Sequence, residues 1–531
     1  MTLLSIDFVV LLTVTAAVYF IFPLRQRWTV LLVSSSVFYF YGGIGTGCFM
    51  IFTILCIHIT AIRLDWINQG QKAYLENNPQ LSRADKKAYR DTIQHKKRLV
   101  LTLGLIVCLG FLVFLKYFNF LSGGAFSLLG LLGISGTAPQ IDLALPLGIS
   151  FYTLQAAGYM IDVYRGKSPA EKNLAKTALF VSFFPQIIQG PIGRYHHLAP
   201  QLYQGHRFDS VRCKHGLELA LWGLIKKLTF AEYVGTAADT IFNSYADYEG
   251  FMILAGSAAY GLQVYADFSG GMDIIRGIAQ IFGIDMAVNF ERPYFARSIA
   301  EFWRRWHITL GAWMRDYVFY PLSLSQSFAK LGRHTRKIFG SYMGKMLPTF
   351  LASFISFMLV GIWHGSSWKY AAYGLWNSTI ITSSILLEPV YKRIEERLHI
   401  NTQCFSWKFF QIARTFFLVS IGRIFSRADS FLTALWMIRS MFATFNPWIF
   451  TDKSLLQLGL SIPEITLVLC MLIVIFTVSL MQEKGIHIIQ ALDRQNFLFR
   501  WLVIIGGILF LLIYGAYGAS FQASDFVYQQ F

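Results

Sequence analysis

The chain has 531 residues, of which 55% are hydrophobic, 16% aromatic and only 14% charged, proportions outside the range of soluble globular proteins. Lys and Arg outnumber Asp and Glu by 46 to 29, a formal charge of +17 at pH 7. The basic residues alternate with apolar stretches instead of forming one patch, which argues against a nucleic-acid partner and for an all-α polytopic protein whose surroundings are membrane lipid.

Apolar stretches long enough to approach the hydrocarbon thickness recur at 3–22, 28–41, 44–62, 99–118, 144–162, 215–232 and 250–268, then at 347–366, 368–387, 408–424, 463–481 and 500–519. They predict about 11–12 crossings within one integral-membrane domain over 1–531. Its parts are N-terminal helices over 1–118 with a loop at 63–98, a core over about 144–390 and C-terminal helices over 405–531. The first stretch has no basic run before it and no small-residue cleavage site after it, so it reads as a retained helix.

Basic residues crowd the segments 63–98, 164–214, 276–306, 325–345, 391–407 and 482–500, whereas 42–47, 119–143 and 236–250 carry none. This asymmetry predicts that the former are cytoplasmic and that the N-terminus lies outside. The loop 63–98 mixes both signs and reads as a solvated helix pair. Six cysteines are scattered without a C-x-x-C pair and read as buried, inert thiols. The eleven histidines show no metal-ligand spacing, so no metal is expected.

Three segments break the alternation of span and loop. "ALFVSFFPQIIQGPIGR" (178–194) is apolar but short and holds Pro185, Gly190 and Pro191. It reads as a re-entrant or interfacial hairpin, a backbone tolerated at membrane depth only where protein or water satisfies its polar groups. "ITLGAWMRDYVFYPL" (308–322) is also bracketed by basic loops and carries Arg315 beside Asp316. The third, 430–444, reads as an amphipathic surface helix. Together they suggest a chamber within the membrane.

Two histidines stand out against this background. In "EFWRRWHITLGAWMRDY" (301–317), His307 follows Arg304 and Arg305; continuous helical spacing would put Trp303, His307 and Met314 on one face. Imidazole suits proton transfer near neutral pH, and the alternative is an interfacial belt of Trp and Arg that the histidine merely fills. His364, in "GIWHG" (361–365), lies 19 residues past Lys345, so a straight helix would carry it roughly 28 Å toward the outer face. A helical hairpin turning at "HGSS" would place it near the outside. It reads either as a reactive group, with Gly361 and Gly365 leaving room for a ligand, or as a packing histidine bonded to a neighbouring helix.

"VYADFSGGMDIIRGIAQIFGI", "NFERPYFARSIAEFWRRWHITLGAWMRDYVFYPL" and "GIWHG", in this order, resemble the membrane-bound O-acyltransferase family, and within it the branch serving bacterial alginate O-acetylation. "PLGISFYTLQAAGYMIDVYRG" (146–166), "FFPQIIQGPIGRYHHLAPQL" (183–202) and "GRIFSRADS" (422–430) extend the likeness over most of the chain. The resemblance implies a helical bundle of about 11–12 transmembrane helices with re-entrant segments around a central chamber, in the bacterial plasma membrane. It implies acyl transfer to a hydroxyl, with catalytic roles for His364 and His307: the former as general base, the latter orienting a thioester or donating to the oxyanion. Trp303, Arg304, Arg305, Trp306 and Trp363 would contact substrate, with Arg304 and Arg305 on the phosphates of a donor.

Arg315, Asp316 and Asp267 are expected to be structural, the first two as an ion pair and Asp267 at a turn. No bound cofactor is implied; acetyl coenzyme A or another acyl thioester would be the donor substrate. No stretch reads as a soluble domain able to finish the reaction on a polymer, so an extracellular or periplasmic acyltransferase partner is expected. An acyl carrier protein would replace coenzyme A if the chain instead served D-alanyl transfer to teichoic acid. A non-enzymatic transporter remains a third class, although no internal repeat of the transporter kind is present.

Overall fold

A computed structural model describes residues 2–133, 136–141 and 146–517. Among them every regular element is helical, apart from one isolated antiparallel bridge between Phe290 and Trp306. Each of the twelve apolar stretches holds helix within its described residues. Among the described residues six helices are long and apolar enough to cross a membrane: Ile44–Asn77, Arg83–Leu131, Gln326–His364, Phe405–Arg427, Ile462–Glu483 and Phe497–Tyr514. The chain is a multi-pass membrane protein. The outer helices carry Leu, Ile, Val and Phe to their surfaces, as on Phe497–Tyr514 where no residue is buried, because hydrocarbon replaces water as the neighbour.

The helices group into two compact units, Met1–Gly216 with Ile278–Ala287 and Leu217–Gly277 with Val288–Phe531. In the first unit, Ile44–Asn77 and Arg83–Leu131 run well past the spans expected from hydropathy. Their polar ends form the helix pair anticipated at 63–98, where Tyr74 and Tyr89 stack at 4.1 Å. The second of these helices also absorbs part of 119–143, since only its residues beyond Leu131 leave the helix. Segment 178–194 folds as the short helices Leu174–Ser182 and Phe184–Gln189 followed by extended chain, and residues 179–192 are buried throughout. Gln186 stabilises the break, its Nε2 donating to the carbonyl of Pro191 at 3.0 Å.

In the second unit, Gln326–His364 is two helices joined at Gly340, whose φ of 85° only glycine adopts without strain. The latter part forms a hairpin with Trp368–Leu386, turning over 365–367 as "HGSS" predicts. Gly361 sets the closeness of this hairpin: a Cβ there would lie 2.5 Å from the Cα of Gly374 and 2.6 Å from the carbonyl oxygen of Tyr370. The room at Gly361 and Gly365 is therefore filled by backbone and by the Tyr370 ring, and it serves helix packing rather than a ligand.

Three further expectations are corrected. Asp267 lies inside the continuous helix Phe251–Ile281 and not at a turn. The helix Phe431–Ala443 buries Ala434, Met437 and Met441 but exposes Leu432, Leu435 and Phe442 beside Arg439, so its outer face is largely apolar instead of polar. Only Cys108 of the six cysteines is buried; Cys48 and Cys470 are exposed, consistent with thiols that face lipid tails as small apolar groups.

Candidate active site

His307 is not on a helix. The helix Ile299–Arg305, capped by Ser298, ends two residues earlier, and Ile308–Met314 starts one residue later. Between them His307 adopts φ 45°, ψ 53°, a left-handed conformation that costs a non-glycine residue about 1 kcal/mol or more. The shared face of Trp303, His307 and Met314 is therefore absent. The strain is held by pairing with the chain before it: Glu291 N–H donates to the Arg305 carbonyl at 2.9 Å, and Ile308 N–H donates to the Asn289 carbonyl at 3.0 Å.

The Asn289 side chain completes that grip. Its Oδ1 accepts from the backbone N–H and the hydroxyl of Thr309, both at 2.9 Å, and lies 3.3 Å from His307 Nδ1. His307, in the N-cap position, makes no side-chain cap of its own, so Asn289 performs that function from another segment. The imidazole is 1% exposed and meets the Phe268 ring edge-on at 5.0 Å. It lies outside the six spanning helices, and burial drives its pKa well below the ordinary histidine value.

His364 is reached in a different way, as the last residue of Gln326–His364. Its ring is 5% exposed and packs at 5.8 Å from Tyr373 on the returning helix. Trp363 joins the two histidines, with its ring centroid 5.1 Å from that of His364 and 6.2 Å from that of His307. Two imidazoles 57 residues apart in sequence thus share one indole as a neighbour.

The other anticipated substrate residues divide. Trp303 donates Nε1–H to Asn377 Oδ1 at 3.0 Å and packs on Phe357 and Tyr373. Trp306 is wholly buried, stacked on Phe302, with the Arg423 guanidinium 4.4 Å above its ring. Arg304 is exposed. Arg305 is engaged by Glu301 at 2.8 Å and by Glu483 at 3.0 Å. Arg315 pairs with Asp316 at 3.0 Å in a π-helical turn, Arg315–Phe319; the Arg315 side chain is 57% exposed, so this pair contributes little to stability.

Asp267 binds Lys227 at 2.6 Å, and Lys227 also binds Glu232 at 2.7 Å. Lys226 pairs with Asp273 at 2.7 Å. Such charges persist away from water because each has a counter-charge at contact; Asp267 and Asp273 lie on the helix that also carries Phe268, which packs on His307. Sequence reasoning missed Asn289, Asn377 and Arg423. The last had a signal, an arginine in the apolar run "FFLVSIGRIFS"; Asn289, outside any apolar stretch, had only its place at the head of the motif "NFERPYFARS".

A family model described as MBOAT, membrane-bound O-acyltransferase family, matches residues 168–337, which include His307 and Asn289. A Probable alginate O-acetylase of Pseudomonas syringae pv. tomato is 35% identical over 351 residues, covering 66% of this chain and 61% of that protein. A protein of the same description from Pseudomonas putida is 34% identical over 371 residues, 69% of each chain. The Peptidoglycan O-acetyltransferase of Helicobacter pylori is 29% identical over 376 residues, 65% of each. The chain spans about three fifths to two thirds of the length of the curated relatives it matches.

Proposed function

The chain belongs to the membrane-bound O-acyltransferase family, and from that premise we propose that it transfers an acetyl group from a cytoplasmic thioester to a hydroxyl on an exopolysaccharide or cell-wall polymer, in the plasma membrane of a bacterium. The observation that carries this reading is the pair of buried imidazoles that both neighbour the Trp363 ring. Acyl transfer to an alcohol needs a base for the hydroxyl proton. A water-poor setting also limits competing hydrolysis of the thioester.

In this reading His364 removes the hydroxyl proton as the oxygen attacks the thioester carbonyl. The new C–O bond forms, the C–S bond breaks, and the proton passes to the departing thiolate. His307 orients the acyl group beside it. Trp303, Trp306 and Trp363 shape the apolar walls, and Arg304 is the exposed cation left for a donor phosphate.

The ion pairs that occupy Arg305 favour one alternative, in which the thioester is carried by a small protein and not by coenzyme A. Purified protein incubated with radiolabelled acetyl coenzyme A and an alginate oligosaccharide separates these. Label on the sugar that depends on His364 supports the proposal. Label transferred only from a loaded carrier protein supports the alternative, and equal transfer by wild type and His364→Ala removes His364 from the chemistry.

A further inference from the structure

The orientation of the Asn289 amide is settled by its partners. A backbone N–H can only donate, so the atom that meets Thr309 N at 2.9 Å must be the carbonyl oxygen. The amide nitrogen then falls toward Met272 Sδ at 3.6 Å, a weak acceptor suited to it. An amide oxygen cannot donate, and it lies 3.3 Å from His307 Nδ1. A hydrogen bond across this contact requires the hydrogen to be on Nδ1. A neutral ring has only one N–H, so its Nε2 bears a lone pair.

We propose that Asn289 is a positioning residue that holds His307 as the Nδ1–H tautomer, so that in acyl transfer His307 works as a hydrogen-bond acceptor through Nε2 and not as a donor to an oxyanion. The proposal rests on the acyl-transfer reading for its chemistry, but the tautomer is a property of the protein alone. Donation from Nε2 would require the imidazolium, and the surroundings disfavour that charge. The segments packed on the ring bring Phe268, Asn289 and Trp363 to it. Of the charged and titratable groups on those and adjoining elements, Asp267 pairs with Lys227, Asp273 with Lys226, Arg305 with Glu301 and Glu483, and Arg423 lies over the Trp306 ring; Arg304 is exposed, Glu291 lies two residues past Asn289, and His364 is on the far end of the contact with Trp363.

The Thr309 bonds explain why asparagine serves here. One oxygen caps the helix that starts at Ile308 and fixes the ring that precedes it, so the left-handed turn and the tautomer are set by the same atom. A leucine of similar volume would remove both; an aspartate would keep every accepted bond while adding a charge opposite Nδ1–H.

The test is made on the full chain in lipid nanodiscs with ¹⁵N-histidine, His307 being assigned by difference from His307→Asn. The expected spectrum has a protonated Nδ1 and a pyridine-type Nε2, replaced by a tautomer mixture in Asn289→Leu. With acetyl coenzyme A and the oligosaccharide as probes, Asn289→Leu should lower kcat at least about tenfold with little change in KM. Asn289→Asp should restore kcat at alkaline pH and move the acidic limb of the pH profile upward by about one unit, because the carboxylate favours the imidazolium.

A protonated Nε2 in the wild type, or Asn289→Leu with unchanged kcat, overturns the proposal. So does Asn289→Asp with raised activity at neutral pH, which would mark the imidazolium as the working form. If Asn289→Leu fails to fold, the wild-type spectrum and the Asp profile decide. No transfer by the wild type from either donor sinks the acyl-transfer reading, and the positioning role with it, while the spectrum reports the tautomer separately.

Discussion

His364 and His307 are two buried imidazoles held by opposite means. His364 ends a regular helix and is located by how closely that helix meets the next, a distance set at Gly361 and Gly374. His307 sits in a strained turn and is located by hydrogen bonds from a separate segment, through Asn289. The first placement depends on van der Waals packing and tolerates no added volume. The second depends on polar contacts and tolerates no lost acceptor. A single site can therefore be disabled by a methyl group in one place and by a missing oxygen in another.

Removing each imidazole separates the two roles most sharply. His364→Ala should reduce acetyl transfer by about a thousandfold or more, the upper part of the range for general-base catalysis, with insertion and thermal stability retained. Transfer within tenfold of wild type would end the comparison.

Gly361→Ala breaks the packed seat without touching a ring. The new Cβ would meet backbone of the opposite helix, which cannot rotate away, so the hairpin must part and carry His364 with it. Misplacement of about 1 Å predicts a loss on the order of a hundredfold in kcat. An unchanged rate would show that the hairpin spacing is immaterial.

His307→Asn preserves a backbone that asparagine also adopts and removes only the ring, so the rate should fall about tenfold to a hundredfold while the melting temperature holds. His307→Val places a β-branched residue at φ 45° and should add about 1–3 kcal/mol of destabilisation, visible in denaturation. Equal stability of the two variants would remove strain from the account.

The smallest effect is on acid stability. In the unfolded chain the His307 ring takes its proton near pH 6.5, whereas burial keeps the folded ring neutral to lower pH. The unfolded state then binds more protons, so this contribution is complete above about pH 6.5 and declines as pH falls below it, by about 1.4 kcal/mol per unit at most. His307→Asn should flatten that slope; an identical slope in wild type and variant would assign it to other groups.

Much of this was readable in advance, for physical reasons that differ by residue. Hydrocarbon demands long apolar runs, so the helices appeared at their places in the sequence, and "HGSS" announced the turn after His364. The π-turn at Arg315–Phe319 and the broken helices at 174–189 lay where the apolar runs were short and interrupted. The seat of His307 was misread because "FWRRWHITL" has unbroken helical spacing, and pairing of residues 289–291 with 305–308 interrupts it.

The sequence by itself determined that this chain lives in a membrane, that it is helical, and that His307 and His364 are its unusual groups, since composition and periodicity act locally. Which groups meet was decided only by tertiary structure. The shared indole of Trp363, the oxygen of Asn289 on His307, and the counter-ions of Asp267 and Arg305 join residues far apart in the chain. Such contacts arise from how helices pack and where a buried donor finds its acceptor, and neither is written in any local pattern.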